Sequence, residues 1–295
     1  MAIIKSTAIG KAKGSLGNLT YRYLSGDTIA SGKVAFPKIP RTAAQMIRRI
    51  GWGNVVNFWQ TFNEDLHPSF EQAQGRVSDY NLFIGRNNGR APYLTKKEAS
   101  AGGCIVAPYQ ITEGSLRAIN VSTTPAGLIT SDIDVNSLVI NDETTLSAFS
   151  AAIKANNTGW QYGDQLTAFI SIQSVDTVTL VPRVVTRAYE ITLAEDSETL
   201  LVDLIGGNPE CFAVSAGKLA FAQVINGGGC YVHSRIDADG NTLVSTQAYV
   251  VTNDLLSTYS TETMAIAAIT SYGGNTRAAF LTPNITTPLA PTPNP

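Results

Sequence analysis

The chain has 295 residues, 44% of them hydrophobic and only 15% charged, with a formal net charge of −2. That balance fits a folded protein of one or two modest domains, and no stretch approaches the ~20 apolar residues of a membrane span. The near-neutral total hides a dipole. Residues 1–50 carry nine Lys and Arg against Asp27 alone, whereas residues 101–295 carry seven basic and seventeen acidic groups. A basic front on an acidic body suits head-to-tail contact with a second copy, or contact with phosphate.

Met1–Gly10 has no apolar run long enough for a signal peptide, so the chain is expected to be made in the cytoplasm and to stay soluble there. Residues 1–40 read as a basic, glycine-rich arm. Leu19–Leu24 is rich in strand formers, Ser25-Gly26-Asp27 reads as a turn and Thr28–Val34 as the returning strand. A lone two-stranded hairpin is marginal in water, which places this one on a neighbouring subunit or across its own body. Residues 41–103 read as a helical segment. Thr42 and Gln45 form a capping box, and Ile47, Gly51, Val55, Phe58 and Phe62 recur on one helical face. Gly51 and Gly53 in that helix predict a close backbone approach or a kink. Trp52, Phe58, Trp59 and Phe62 are the packing candidates, for core or interface. Ser78–Ile84 reads as a second, shorter helix, and Pro68 as the end of the first helical region.

From residue 104 to 281 the texture is that of a β-sandwich-like body with inserted helices, which makes the fold class α+β, mainly β. Strands are expected at 104–111, 117–122, 165–172, 177–185, 188–193, 218–225, 229–236 and 242–251, with Asp237–Asn241 as a hairpin turn. Helices are expected at 143–156, capped by Asp142, Thr144 or Thr145, and at 261–271. Residues 282–295 hold five prolines and form an extended tail.

No catalytic constellation, cofactor motif or metal motif is legible. His67 and His233 are the only histidines and neither stands beside a nucleophile motif; His233 reads as a structural or surface residue. Asp237-Ala238-Asp239-Gly240-Asn241 echoes a calcium loop but lacks its closing carboxylate, and reads as a turn. Gly206-Gly207 and Gly227-Gly228-Gly229 have no following Lys-Ser/Thr, so they read as strand connections and not as phosphate cradles. Cys104, Cys211 and Cys230 are odd in number with no paired spacing, and read as buried free thiols. The arm is the main candidate site. Lys11, Lys13, Tyr21, Arg22, Tyr23, Lys33 and Lys38 are expected at a subunit interface, facing the acidic run that contains Glu190, Glu195, Asp196, Glu198 and Asp203. The alternation of Arg22 with Tyr21 and Tyr23 leaves direct nucleic-acid binding open as an alternative.

The opening Gly10-x-x-x-Gly14-Ser15-x-Gly17-Asn18-x-Thr20-Tyr21, with Ile29-Ala30-Ser31, Arg41-Thr42-x-x-Gln45, Gly163–Leu166 and Val244–Tyr249, resembles a family of virion structural proteins from Bacteroidota and crAss-like phages. The resemblance implies a virion protein: a tail-ring or collar component beneath the portal, or a head decoration. The expected partners are copies of itself in a ring and other tail or portal proteins, with DNA contacted only indirectly and no membrane. A carbohydrate-binding module is a further alternative, for which Trp160, Tyr162 and Tyr231 are the aromatic candidates.

Overall fold

The computed structural model describes residues 2–4, 13–24, 27–33, 43–62, 69–71, 77–90, 94, 98–99, 101–124, 128–175, 181–205, 212–221, 227–251, 261 and 263–264. The expected proline tail, Lys11, Lys38, Thr42, His67, Pro68, Cys211, Gly206-Gly207 and most of the expected helix at 261–271 lie outside these residues. The chain divides into two compact units, residues 1–45 and 46–295.

The first unit is an antiparallel sheet of four strands, β1 (Ala2–Ile4), β2 (Gly14–Leu16), β3 (Leu19–Leu24) and β4 (Asp27–Gly32), in the order β1-β4-β3-β2. The expected hairpin is there as β3–β4, with Leu19 opposite Gly32 and Leu24 opposite Asp27. It does not stand as a two-stranded ribbon. β1 adds to β4 and β2 adds to β3, so the central strand β4 buries Thr28, Ile29 and Ala30. Three or more strands give a sheet that no longer depends on an outside support in the way a lone hairpin does.

The second unit is mainly β with helices on its outside. Helix α1 (Ala43–Trp59) starts at the end of the first unit and buries Val55, Phe58 and Trp59, with Phe62 just beyond it. Its earlier turns are open, and Ile47 is 61% exposed, so the predicted apolar face is buried only in its second half. Gly53 faces open space; the helix runs through it, and the expected close approach does not occur there. Helix α2 (Asp79–Asn87) is capped by Ser78, whose hydroxyl accepts from the Asn81 N–H. Short strands β5 (Gln110–Thr112), β6 (Val121–Thr123) and β7 (Ile129–Asp134) follow, then helix α3 (Leu146–Asn156), capped by the Thr145 hydroxyl. The long strands β8 (Gln165–Val175) and β9 (Pro182–Thr192) pair over their whole length. A four-residue helix α4 (Leu201–Leu204) leads to β10 (Ala213–Ser215), β11 (Lys218–Phe221), β12 (Gly227–Ile236), β13 (Thr242–Val244), β14 (Gln247–Ala248) and β15 (Val250–Val251).

These strands make a five-stranded sheet, β13-β12-β8-β9 with β15 also on β12, and a four-stranded sheet, β10-β11-β7-β6. Alternation along β8 sends Leu166, Ala168 and Ile170 to one face and Phe169 to the other. The first set packs with β7, β11 and α3 through Ile129, Leu219, Phe221 and Phe149. The second packs with α1, α2 and the 104–111 segment through Phe58, Phe62, Phe83 and Tyr109. The larger sheet therefore has a covered face on each side. The glycines of β12 serve that packing. A Cβ at Gly228 would lie 2.6 Å from the Val250 carbonyl oxygen, and one at Gly229 would lie 2.8 Å from that of Phe169.

Residues 104–109, expected as a strand, belong to no strand and pair with no neighbour over most of their length. Asparagine side chains take the place of a partner strand. Asn54 accepts from the Ile105 N–H at 2.8 Å and donates to the Ile105 carbonyl at 3.1 Å. Asn87 does the same to Gln110, at 2.8 and 2.7 Å. Each carboxamide stands in for a peptide group, which satisfies buried backbone that would otherwise be orphaned.

Candidate functional site

β2 and β3 are joined by Gly17-Asn18, with Gly17 in the left-handed region at φ +57°. The turn sets Leu16 opposite Leu19 and Gly14 opposite Tyr21, which puts Lys13 across from Arg22. At the other side, Lys33 N–H donates to the Asn18 carbonyl at 2.7 Å, extending the ladder beyond Leu19 and Gly32. Successive side chains of a strand point to opposite faces. Lys13, Arg22 and Lys33 therefore share one face of the sheet with Ser15, Thr20 and Ser31, and all three cations are exposed. Leu19, Tyr21 and Tyr23 take the opposite face, where Leu19 is 43% and Tyr23 40% exposed. The expected alternation of cation and aromatic faces is there, as two separate surfaces. A single nucleic-acid strand laid on this sheet meets the charges or the rings, not both.

On the second unit, β9 ends at Thr192 and the chain runs into a loop that exposes Glu195, Asp196 and Glu198; Asp203 of α4 is exposed as well. None of these four acids is in an ion pair among the described residues. Of the four packing candidates, Phe58, Trp59 and Phe62 sit in the core, where Phe58 meets the rings of Phe62, Tyr109 and Tyr249 edge-on at 5.2–5.7 Å. Trp52 is 49% exposed and lies outside that core. It lies on the same side of the helix as Val55 and Trp59, about 60° and about 20° away, but in the earlier turns, which are open.

The most deeply buried charged cluster among the described residues has no signature in the sequence. Asp164, at the mouth of β8, is 1% exposed. Its carboxylate accepts from Arg235 Nε at 2.5 Å and from the second guanidinium nitrogen at 2.6 Å. His233 Nε2 lies 2.9 Å away, and the Gln161 N–H donates at 2.9 Å. Facing an acceptor, His233 Nε2 must carry the proton. Burial pushes the Asp164 carboxyl up, but the bonds from Arg235, then His233 and Gln161, outweigh it and hold the group down at about 2. The same carboxylate raises the Arg235 guanidinium above its ordinary value. Arg235 also donates to the Gly159 carbonyl at 2.6 Å, tying the 157–164 turn to β12, and Trp160 stacks on His233 at 3.8 Å. Every member of the cluster is engaged with another, so it acts as a clamp between the start of β8 and the end of β12. His233 is structural, as one of its two expected readings had it.

The remaining candidates resolve as follows. The Asp237 carboxylate accepts from the N–H groups of Asp239 and Asn241 and from the Asn241 side chain, which makes the loop a self-bonded hairpin turn. Those bonds also hold its carboxyl below the usual range. No group of three or more His, Cys, Asp or Glu among the described residues could hold a metal ion. Cys104 and Cys230 are free and fully buried, and burial pushes both thiols up. Trp160, Tyr162 and Tyr231 do not converge: Tyr231 is wholly buried, stacked on Phe221 at 4.5 Å, while Tyr162 lies under the Lys154 ammonium at 3.8 Å. In the Val244–Tyr249 motif Val244, Ser245, Gln247 and Tyr249 are buried, and Thr246 and Ala248 are exposed. Ser245 accepts from the His233 N–H, Gln247 Nε2 donates to the Ser245 hydroxyl, and the Tyr249 hydroxyl meets that of Ser171. No helix among the described residues is long and apolar enough to cross a membrane. No family model, no curated protein and no solved structure matches this chain.

Proposed function

We propose that this chain is a non-enzymatic structural subunit of a phage virion, a ring-forming component of the tail or collar near the portal, joined to its neighbours by arm-to-body contacts. The virion setting comes from the resemblance of the arm and of the Gly163–Leu166 and Val244–Tyr249 segments. The assembly role is carried by one observation: the described strands of the first unit form a sheet of their own that displays Lys13, Arg22 and Lys33 on one face. Glu195, Asp196, Glu198 and Asp203 offer a matching surface of opposite sign on the other unit. Two unlike surfaces of one chain make a heterologous contact, which closes into a ring when the rotation allows. A sandwich-like packing of the body's two sheets would give such a ring a stiff wall.

The test is direct imaging. Purified chain at high concentration and low salt is examined by negative stain and mass photometry, beside a variant carrying Arg22→Glu, Lys33→Glu and Lys38→Glu. Rings in the first sample and folded single particles in the second support the proposal. Single particles in both refute it, and would return weight to a surface-binding module.

A further inference from the structure

We infer that β9 is an open docking edge, and that it receives strand β2 from the arm of a second copy. The inference rests on the homomeric reading above and adds which backbone makes the contact.

β9 is an edge strand of eleven residues, paired with β8 alone, in unbroken register from Pro182 to Thr192. In an antiparallel strand the N–H and C=O of one residue point to the same side, and the side alternates along the chain. Leu193, just past β9, exchanges both its bonds with Gly163 and Asp164. Odd residues of β9 therefore point into the sheet and even residues point out. Pro182 obeys the rule: its carbonyl faces away from β8 and accepts from the Cys104 N–H at 2.9 Å. The next three outward residues are Val184, which is itself buried, and Thr186 and Ala188, which are half-buried. Their outward peptide groups have no hydrogen-bond partner among the described residues.

Edges of this kind are ordinarily blunted by proline, lysine or a bulge. Between Val184 and Ala188 there is none. The register carries no shift, the one charge is Arg187, and the Arg183 side chain folds back onto the carbonyls of Gly102 and Ala101. Such an edge accepts an added strand.

The arm supplies a strand that fits. In the two-residue hairpin Leu16 and Leu19 are the closing pair, so Ser15, and Lys13 before it, turn their peptide groups outward. Their spacing of two matches that of Thr186 and Ala188. Charge fixes the direction. An antiparallel addition with Ser15 opposite Thr186 sets Lys13 opposite Ala188, toward the exposed acids that follow β9. It also sets Gly14, which has no side chain to clash, opposite Arg187. A parallel addition would carry Lys13 away from those acids.

Two variants of the full chain test this. Ser15→Pro removes an outward N–H from β2 and leaves the β2–β3 ladder bonds in place. Ala188→Pro removes an outward N–H from β9. Folding of each is checked by circular dichroism and thermal melting. Self-association is then followed by sedimentation across concentration and salt. The expected result is at least a tenfold rise in the concentration needed for assembly by either variant alone, with a 1:1 heterodimer when the two are mixed. The heterodimer forms because the mixture still holds one intact edge and one intact arm. Assembly of Ser15→Pro at the wild-type concentration, or a mixture that forms no heterodimer, overturns the inference while leaving the homomeric reading standing. Wild-type chain that never self-associates overturns the homomeric reading itself. If Ala188→Pro does not fold, Lys13→Glu replaces it: Lys13 faces Ala188, two residues from the exposed Glu190 on the same face, so the reversed charge should raise the concentration needed for assembly at low salt, and no change counts against the register.

Discussion

Replacing Asp164 by asparagine should remove the centre of the clamp between β8 and β12 without changing its shape. The carboxylate holds four donors, two from Arg235 and one each from His233 and the Gln161 backbone, in a site that is 1% exposed. Taking one partner out of a buried ion pair costs about 3–5 kcal/mol, and the Arg235 head is open enough to recover some hydration, so about 3 kcal/mol is expected here. The pH dependence gives a second, independent figure. The carboxyl is held at about 2 against 3.8 in the unfolded chain, a difference of about 2 kcal/mol. Its folded value is the lower one, so the unfolded chain binds more protons between those two values. The stabilisation is complete above about pH 4 and is lost as pH falls toward 2. Urea unfolding followed by tryptophan fluorescence should therefore show wild type ahead of Asp164→Asn by about 3 kcal/mol at pH 7, with most of that gap closed near pH 2. A variant within about 0.5 kcal/mol of wild type at pH 7 would refute the reasoning, as would a gap that does not change with pH.

Gly228→Ala should lower the melting temperature by roughly 5–10 °C, because its Cβ would meet the fixed Val250 carbonyl oxygen at 2.6 Å; calorimetry reads the shift. Asn54→Ala should cost about 3 kcal/mol in urea unfolding, since it orphans the Ile105 N–H and C=O and removes the 2.6 Å bond to the Tyr109 hydroxyl. Thr145→Ala should cost about 1 kcal/mol through the lost cap of α3. Phe58→Ala should cost about 3–5 kcal/mol while Trp52→Ala stays below about 1, a contrast that the same unfolding experiment reads.

Much of the fold was legible and some was not, for identifiable reasons. Long alternating strands were plain: β8 and β12 read as strands because their apolar residues recur with turn residues at their ends. The turn at Asp237 announced itself by composition. Residues 177–185 and 188–193 read as two strands, but from Pro182 onward they are one, because nothing at Thr186-Arg187 breaks the backbone. β7 was missed although Ile129, Ser131 and Ile133 alternate in burial with their neighbours; its polar residues masked the period. β1 and β2 are three residues each, too short to carry a period at all. Residues 104–109 mimic a strand in composition, and only the helices reveal that Asn54 and Asn87 replace the ladder. The Asp164 clamp joins residues 69 and 71 positions apart in the chain, so no local spacing could point to it. The arm's charges were visible from the start, and the period of a strand separates Arg22 from Tyr21 and Tyr23, but that Lys13 joins Arg22 depended on register, which the Gly17-Asn18 turn decides.

That turn has a consequence for how the arm can change over generations. Because cations and rings look in opposite directions, the lysines and arginine can be exchanged for other polar residues without disturbing the hydrophobic side, so the charge of that face can be retuned by point changes. A single-residue insertion or deletion at the turn acts in the contrary way. It would rotate Lys13 and the residues of β2 onto the reverse surface at one stroke, bringing positive charge among the tyrosines.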